Sequence, residues 1–117
     1  MVGGKMTVFQ ASVRQGIDWL FDLTATSGGV PIDITGWSIE LEVRNWNAVS
    51  ELILTVGSGV TITDGAAGEM SFRATAAQTL AIDEGTHDFN VKASPGGSGA
   101  VVYEWLVGVL RVSRELA

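Results

Sequence analysis

Apolar and polar residues alternate along most of this chain with a period of two residues. The clearest run begins at Trp37, after which Ile39, Leu41 and Val43 alternate with polar residues. Successive side chains of a β-strand point to opposite faces, so this pattern predicts a strand with one buried face. Further alternating runs, and apolar runs bounded by turn residues, predict seven more strands, in residues 7–13, 17–23, 51–56, 60–63, 69–75, 87–93 and 100–113.

Glycine-rich segments separate these alternating runs. Nine of the 15 glycines of the chain lie in residues 27–31, 57–59, 64–68 and 94–99, where we expect turns. Gly108 is an exception inside the last strand, where it predicts a bulge or a close backbone approach. A single helical turn is expected only at residues 75–80, starting at Thr75 or Ala76 and returning Leu80 to the core.

Short strands at regular spacing, with no helical segments to connect parallel strands, predict an all-β fold and an antiparallel β-sandwich of seven to eight strands. The chain has 117 residues, 46% of them hydrophobic, which suits one core. We therefore predict a flexible N-terminal arm, residues 1–6, and a single sandwich domain, residues 7–117.

The charge balance narrows the classes of partner. Thirteen acidic residues against seven basic ones give a net charge of −6, which repels nucleic acid and anionic membrane surfaces. The longest apolar stretch, residues 100–110, contains Glu104 and is far shorter than the ~20 residues of a membrane-spanning helix. Polar residues also interrupt the segment after Met6, so no signal peptide is predicted. Nucleic acid and membrane are therefore not expected partners.

Residues suited to catalysis are few. The chain has no cysteine and one histidine, His87, which starts an alternating strand and is interpreted as a packing or hydrogen-bonding residue. Most candidate carboxylates occupy outward strand positions, and Asp33 and Asp64 lie in loops where they are expected to bond nearby backbone amides. The glycine-rich segments lack the lysine or helix start of a phosphate site. We expect a non-enzyme with no metal or cofactor.

Three features are candidates for contact with a partner. The first is Trp46, in the tripeptide Asn45-Trp46-Asn47, where the alternation fails; it either anchors an interface or folds back onto the core. The second is Trp105, in a last strand that is apolar on both faces and so needs cover from its own fold or from a neighbouring subunit. The third is the loop that contains Pro95, Gly96 and Gly97, interpreted as a hairpin loop or as a segment that orders on a partner. Trp19 and Trp37 are assigned to the core.

The order of these turns resembles a known family. The motifs are residues 15–18, 29–37, 56–64, 68–72, 75–79 and 84–89. Together they are similar to small immunoglobulin-like virion proteins of tailed phages, including the N-terminal module of baseplate upper proteins. Asp33-Ile34-Thr35-Gly36 matches the family's Asp-Leu-Thr-Gly turn, and Gly108 matches its last-strand glycine. The sequence departs from the family at residues 87–89, where a tyrosine is commoner, and in having no long C-terminal extension.

The resemblance spans residues 15–113 and implies an immunoglobulin-like antiparallel β-sandwich that acts as an adaptor or decoration module of a phage tail, baseplate, neck or capsid. It implies binding to other virion proteins and to copies of itself, with synthesis and assembly in the host bacterial cytoplasm. The missing extension argues against a receptor-binding or fibre role. The alternative is a carbohydrate-binding sandwich that stacks an exposed tryptophan, Trp46 or Trp105, on a sugar ring.

Overall fold

Strands dominate the computed structural model, which describes residues 8–45, 47–95 and 102–114. The described chain forms ten strands and one short helix. In chain order they are β1 (Val8–Arg14), β2 (Trp19–Thr24), β3 (Thr26–Ser27), β4 (Val30–Pro31), β5 (Ser38–Arg44), β6 (Ser50–Val56), β7 (Gly59–Asp64), β8 (Glu69–Ala74), α1 (Ala76–Leu80), β9 (Gly85–Ser94) and β10 (Tyr103–Ser113). The predicted arm, residues 1–6, lies outside the described residues.

Eight strands form one sheet in the order β1-β10-β9-β5-β6-β7-β8-β2, and β3 and β4 pair separately. Neighbouring strands are antiparallel except at two places. β1 runs parallel to β10, and β6 runs parallel to β7 over only two residue pairs. The predicted hairpin of β7 and β8 is present, with Val60 opposite Phe72. The predicted all-β class is confirmed, with a sheet that is mostly antiparallel and nearly closed.

The inward side chains of this sheet form a single core. Trp19 on β2 meets Phe89 on β9 edge-on, with ring centroids 5.4 Å apart, although β2 lies at the far end of the sheet order. Phe21 stacks on Phe72 at 4.6 Å. Contacts between strands so distant in the sheet order require the sheet to curl around one apolar interior. The largest fully buried side chains include Phe72, Phe89, Ile34, Leu41, Leu54 and Leu110.

The predicted helical turn forms α1, and its start has a physical cause. The Thr75 hydroxyl accepts a hydrogen bond from the Gln78 amide, and the Gln78 side chain accepts one from the Thr75 amide. This reciprocal capping satisfies two donors that a helix start leaves free. The expectation that Leu80 returns to the core is wrong, because Leu80 is 50% exposed; Thr79 and Ile82 are fully buried instead.

Two strand predictions need correction at their ends. Ile17 was expected to point inward but is 56% exposed, because residues 15–18 form a turn and β2 starts only at Trp19. Gly16 allows this turn, with a φ of 84°. Trp37 was expected in the core, but it precedes β5 and is only partly buried. In both cases the alternating sequence pattern begins before the first residue of the strand.

The irregularity in β10 lies earlier than predicted. Gly108 keeps a regular register between β1 and β9 and is buried, whereas the register shifts between Glu104 and Leu106. The shift lets the consecutive side chains of Trp105 and Leu106 both pack against the core. Side-chain burial in β10 therefore follows simple alternation on only one side of Trp105.

Candidate partner-binding surfaces

Asn45 holds the turn between β5 and β6. Its side-chain oxygen accepts hydrogen bonds from the amides of Asn47 (2.9 Å) and Val49 (3.1 Å), and its side-chain nitrogen donates to Glu51 (3.0 Å). Ala48, inside the turn, has a φ of 62°, a strained value for a residue with a Cβ. Asn45 therefore shapes the turn, and its contact with a partner stays a prediction.

Residues next to Asn45 are exposed at the first candidate surface, the turn between β5 and β6. Asn47 is exposed, and Val49, two residues further on, is 55% exposed. Trp46 lies outside the described residues, so its role as an interface anchor stays a prediction. An apolar residue exposed beside this position is compatible with a contact surface at the β5–β6 turn.

Three aromatic rings, which we call the aromatic corner, gather at the start of β10. The Trp37 ring stacks on Trp105 with centroids 5.4 Å apart and on Tyr103 at 6.0 Å. Trp105 is partly buried and packs against the core, so its own fold covers part of the ring, and its contact with a partner stays a prediction. Tyr103 is 41% exposed and Val102, just before it, is 63% exposed. The exposed part of the corner is thus Tyr103 and Val102.

A groove of about 360 Å³, which we call the outer groove, opens beside the aromatic corner. Its apolar walls include Trp37, Val56 and Val102, and its polar lining includes Glu40 and Lys92. Lys92 lies directly opposite Glu40 in the register of β5 and β9. Among the described residues, neither side chain forms an ion pair within 4.0 Å. The groove therefore offers both apolar contact and two opposite charges to a bound segment.

The third candidate lies at the rim of this groove. Ser94 and Val102 both line it, and Pro95, next to Ser94, is exposed. Gly96 and Gly97 lie outside the described residues. Pro95 is thus placed beside the aromatic corner, whereas the predicted roles of the two glycines stay predictions.

Ionisable groups on the outer face of β5 are paired locally. The Arg44 guanidinium donates a 2.7 Å hydrogen bond to Glu42, which lowers the pKa of that carboxyl and raises the pKa of Arg44. In the loop before β5, hydrogen bonds from the hydroxyl and then the amide of Thr35 lower the pKa of Asp33. These shifts favour the charged forms, as expected of structural ion pairs and turns.

His87 packs inside the fold and is 4% exposed. Its Nε2 lies 2.6 Å from the carbonyl oxygen of Asp83, and a carbonyl only accepts, so Nε2 carries the proton. Its Nδ1 is buried without a hydrogen-bond partner. Within the described ranges, no group of three His, Cys, Asp or Glu side chains is placed to hold a metal ion. The interpretation of His87 as a packing and hydrogen-bonding residue agrees with this environment.

Sequence reasoning missed the outer groove and the part that Tyr103 has in the aromatic corner. Both depend on pairing between distant strands and on the register shift at Trp105, and neither leaves a periodic signal. The one sequence feature that pointed to the groove was Lys92, a cation that lies opposite Glu40 on β5 and Glu104 on β10. This charge pattern indicates a groove only once the pairing of β5 with β9 is known.

Comparisons with known proteins place few constraints on this chain. No family model matches the sequence, and no curated protein matches it. Among solved structures, the periplasmic chaperone SfaE is 16% identical over 90% of this chain, with a TM-score of 0.47. The V domain of amphioxus IgVJ-C2 is 15% identical over 88% of this chain and 99% of its own length, with a TM-score of 0.32.

The chain spans 54% of the length of the chaperone. Both TM-scores are below 0.5, too low to assign a fold or a function to this chain. The description of the fold therefore depends on the strand pairing itself. Within the described residues, no helix is long and apolar enough to cross a membrane.

Proposed function

We propose that this chain is a non-enzymatic virion structural protein of a tailed phage, an adaptor or decoration module that binds other virion proteins and copies of itself. The observation that carries the protein-binding part is the aromatic corner, where Tyr103 and Val102 are exposed beside the outer groove. Exposed aromatic and aliphatic side chains at the edge of a concave surface are typical of protein interfaces.

The finer architecture that we propose is an immunoglobulin-like sandwich. One layer would be β1-β10-β9-β5-β6 and the other β7-β8-β2, joined where β6 meets β7 through two residue pairs. The contact of Trp19 with Phe89 supports this division, because it joins the two layers through their inward faces. Such a domain presents loops and strand edges, the surfaces through which sandwich domains usually bind partners.

The virion assignment rests on the resemblance of the turn motifs. Its strongest local support is the turn at residues 33–36. There the Asp33 carboxylate accepts hydrogen bonds from the Thr35 amide (3.0 Å) and hydroxyl (2.6 Å), and Gly36 has a φ of 79°. These interactions show that the Asp, Thr and Gly that match the family motif each have a structural role in the turn. The tail, baseplate, neck and capsid all remain compatible positions.

The virion assignment is tested by mass spectrometry of gradient-purified particles of the encoding phage. We expect the protein at a fixed copy number relative to the major capsid protein. Its absence from particles that still contain their tail and capsid proteins would refute the virion assignment. Protein binding would then need a test of its own.

The aromatic corner is tested by complementation with variants of its exposed residues. Tyr103→Ala with Val102→Ser should reduce incorporation into particles at least tenfold with little change in melting temperature, because both side chains are exposed. Val30→Ser is the matched control, since Val30 is 65% exposed on β4. Equal incorporation of both variants would contradict a binding role for the corner. Trp46→Ala is likewise expected to weaken assembly without unfolding the domain.

The carbohydrate-binding alternative needs an exposed aromatic face. Trp105 stacks on Trp37 and packs against the core, which does not favour it as a sugar platform. Trp46 stays the remaining candidate for that role. Reproducible binding on a glycan array, lost in Trp46→Ala, would favour the alternative over the protein-binding function.

A further inference from the structure

The two ends of the sheet order, β1 and β2, each have a free edge within the described residues. We call the space between these edges the seam. The strands are joined at one end of the seam by the turn at residues 15–18 and are not paired with each other. A sheet that is nearly closed but lacks this one pairing leaves room for an added strand.

Both edges present backbone groups to the seam. The Gln15 amide bonds to Ser113 of β10, so by alternation the backbone groups of Gln10 and Ser12 face away from β10. The Ala25 amide bonds to Gly68 (2.9 Å), which continues the pairing of β2 with β8. By the same alternation, Leu20, Asp22 and Thr24 direct their backbone groups to the free edge of β2.

The apolar interior is also incompletely covered along the seam. On β8, Met70 and Phe72 are 1% exposed, whereas Phe21 and Leu23 on the neighbouring β2 are only partly buried. Ala11 on β1 is partly buried as well. Burial improves toward the turn at residues 15–18, where Val13 and Trp19 are below 9% exposed. The core is therefore least covered in the part of the seam that lies away from this turn.

We propose that the seam receives residues 1–7 of a second copy of this chain as a ninth strand. This inference rests on the proposed function, because it specifies how copies bind one another. Seven extended residues span about 23 Å, enough to cover the six residues of β2. In an extended strand Val2 and Met6 share the face opposite Lys5, so these two residues supply apolar side chains for the open part of the core.

Charge complementarity supports this occupant. Asp22 on β2 and Glu69, opposite Thr24 on β8, form no ion pair with another described residue. Residues 1–7 contain a single charged side chain, the cation of Lys5. A strand in the seam would bring Lys5 to the edge strand that carries Asp22, with Glu69 on the next strand of the sheet.

The direction of the chain indicates that the inserted segment comes from a second copy. Residue 7 leads directly into β1, which already runs along the seam. To enter its own seam the segment would have to reverse within residues 5–8, Lys-Met-Thr-Val, which contain none of the residues that favour tight turns. Donation to a neighbour needs no reversal. The contact joins different surfaces on the two copies, so repetition builds a ring or a filament.

Cysteine cross-linking tests the donation directly, because the wild-type chain has no cysteine. We would mix full-length Thr7→Cys, which shares the outer face of the added strand with Lys5, with full-length Leu20→Cys and add a short bis-maleimide. Leu20 is 64% exposed on the free edge, so the substitution should not disturb folding. Heterodimers are expected to cross-link in this mixture. They should be at least tenfold fewer when Thr61→Cys, exposed on β7, replaces Leu20→Cys.

Two controls make the result decisive. Lys5→Glu in the Thr7→Cys chain should reduce cross-linking severalfold, and Asp22→Lys in the Leu20→Cys chain should restore it. Equal cross-linking to Leu20→Cys and Thr61→Cys, or no product with either, would overturn the proposal. A double variant Thr7→Cys/Leu20→Cys that cross-links only within monomers at high dilution would show that the segment fills its own seam and would also overturn the proposal.

The two proposals can fail separately. If particles contain the protein but a chain lacking residues 1–7 is incorporated as well as the wild type, the seam inference fails and the virion function stands. If particles lack the protein while the cysteine mixture cross-links as expected, the virion function fails and self-association through the seam stands.

Discussion

Thr79 connects the one-turn helix α1 to the turn before β2, and its replacement by valine gives a sharp test of this connection. Thr79 is fully buried; its hydroxyl donates to the Ile17 carbonyl (2.8 Å) and accepts from the Gly16 amide (3.1 Å). Valine has nearly the same shape but no hydroxyl. Thr79→Val should therefore leave the packing intact while removing both hydrogen bonds.

The expected cost follows from the two backbone groups that lose their partner. An unsatisfied buried polar group costs about 1–3 kcal/mol. The turn at residues 15–18 is only partly buried, so each group should cost near the lower limit. Thr79→Val should therefore lower the free energy of unfolding by about 2 kcal/mol, which lowers the melting temperature by about 8 °C for a domain of this size.

Urea unfolding followed by circular dichroism, together with a thermal scan, measures both quantities. Thr61→Val is the matched control, because Thr61 is exposed on β7 and should change stability by less than about 0.5 kcal/mol. Thr79→Ser keeps the hydroxyl and loses only a methyl group, so it should cost about 1 kcal/mol. A change below 0.5 kcal/mol in Thr79→Val, or a larger loss in Thr79→Ser, would refute the hydrogen-bonding account.

Three further measurements address other parts of the fold. Gly68→Ala should destabilise far more than Gly28→Ala, because both glycines have positive φ but only at Gly68 would a Cβ meet backbone carbonyls, at 2.5 and 2.8 Å; denaturant unfolding compares them. Glu42 has a lowered pKa in the fold, so its contribution is present above the ordinary glutamate pKa and is lost as pH falls through the lower value; between roughly pH 6 and pH 3 the wild type should lose more stability than Glu42→Gln. Trp105→Ala should cost about 3 kcal/mol, whereas Tyr103→Ala should cost under about 1 kcal/mol, as thermal scans can show.

The strands were predictable from the sequence because a one-sided burial pattern has a period of two. In β5 and β9 each inward position read from the sequence is buried, including Leu41 and Val91 at 0% exposure. The start of α1 was predictable for a different reason, since threonine followed three residues later by glutamine is a local capping signal. In both cases the information lies within a few consecutive residues.

Features that depend on tertiary pairing could not be predicted in the same way. The register shift at Trp105 reverses the faces of β10, and nothing in the local pattern marks its position. Asn45 looked like part of an exposed tripeptide, but its three hydrogen bonds depend on the closure of the β5–β6 turn and on Glu51. The seam and the proposed division into two layers depend in turn on which strands fail to pair, and a single sequence carries no signal for that.

The seam and the helix α1 are physically coupled. Besides the bonds of Thr79, the Gln15 side chain donates to the Ile82 carbonyl (2.8 Å), and the Asp18 carboxylate accepts from the Ala76 amide (2.7 Å). These bonds hold the turn against the helix, and the turn sets how far apart β1 and β2 begin. If the seam accepts a strand, the helix therefore acts as the spacer of the acceptor site. Loosening the turn by Thr79→Val should then reduce cross-linking through the seam under conditions where the variant remains folded, whereas Thr61→Val, exposed on β7, should leave it unchanged.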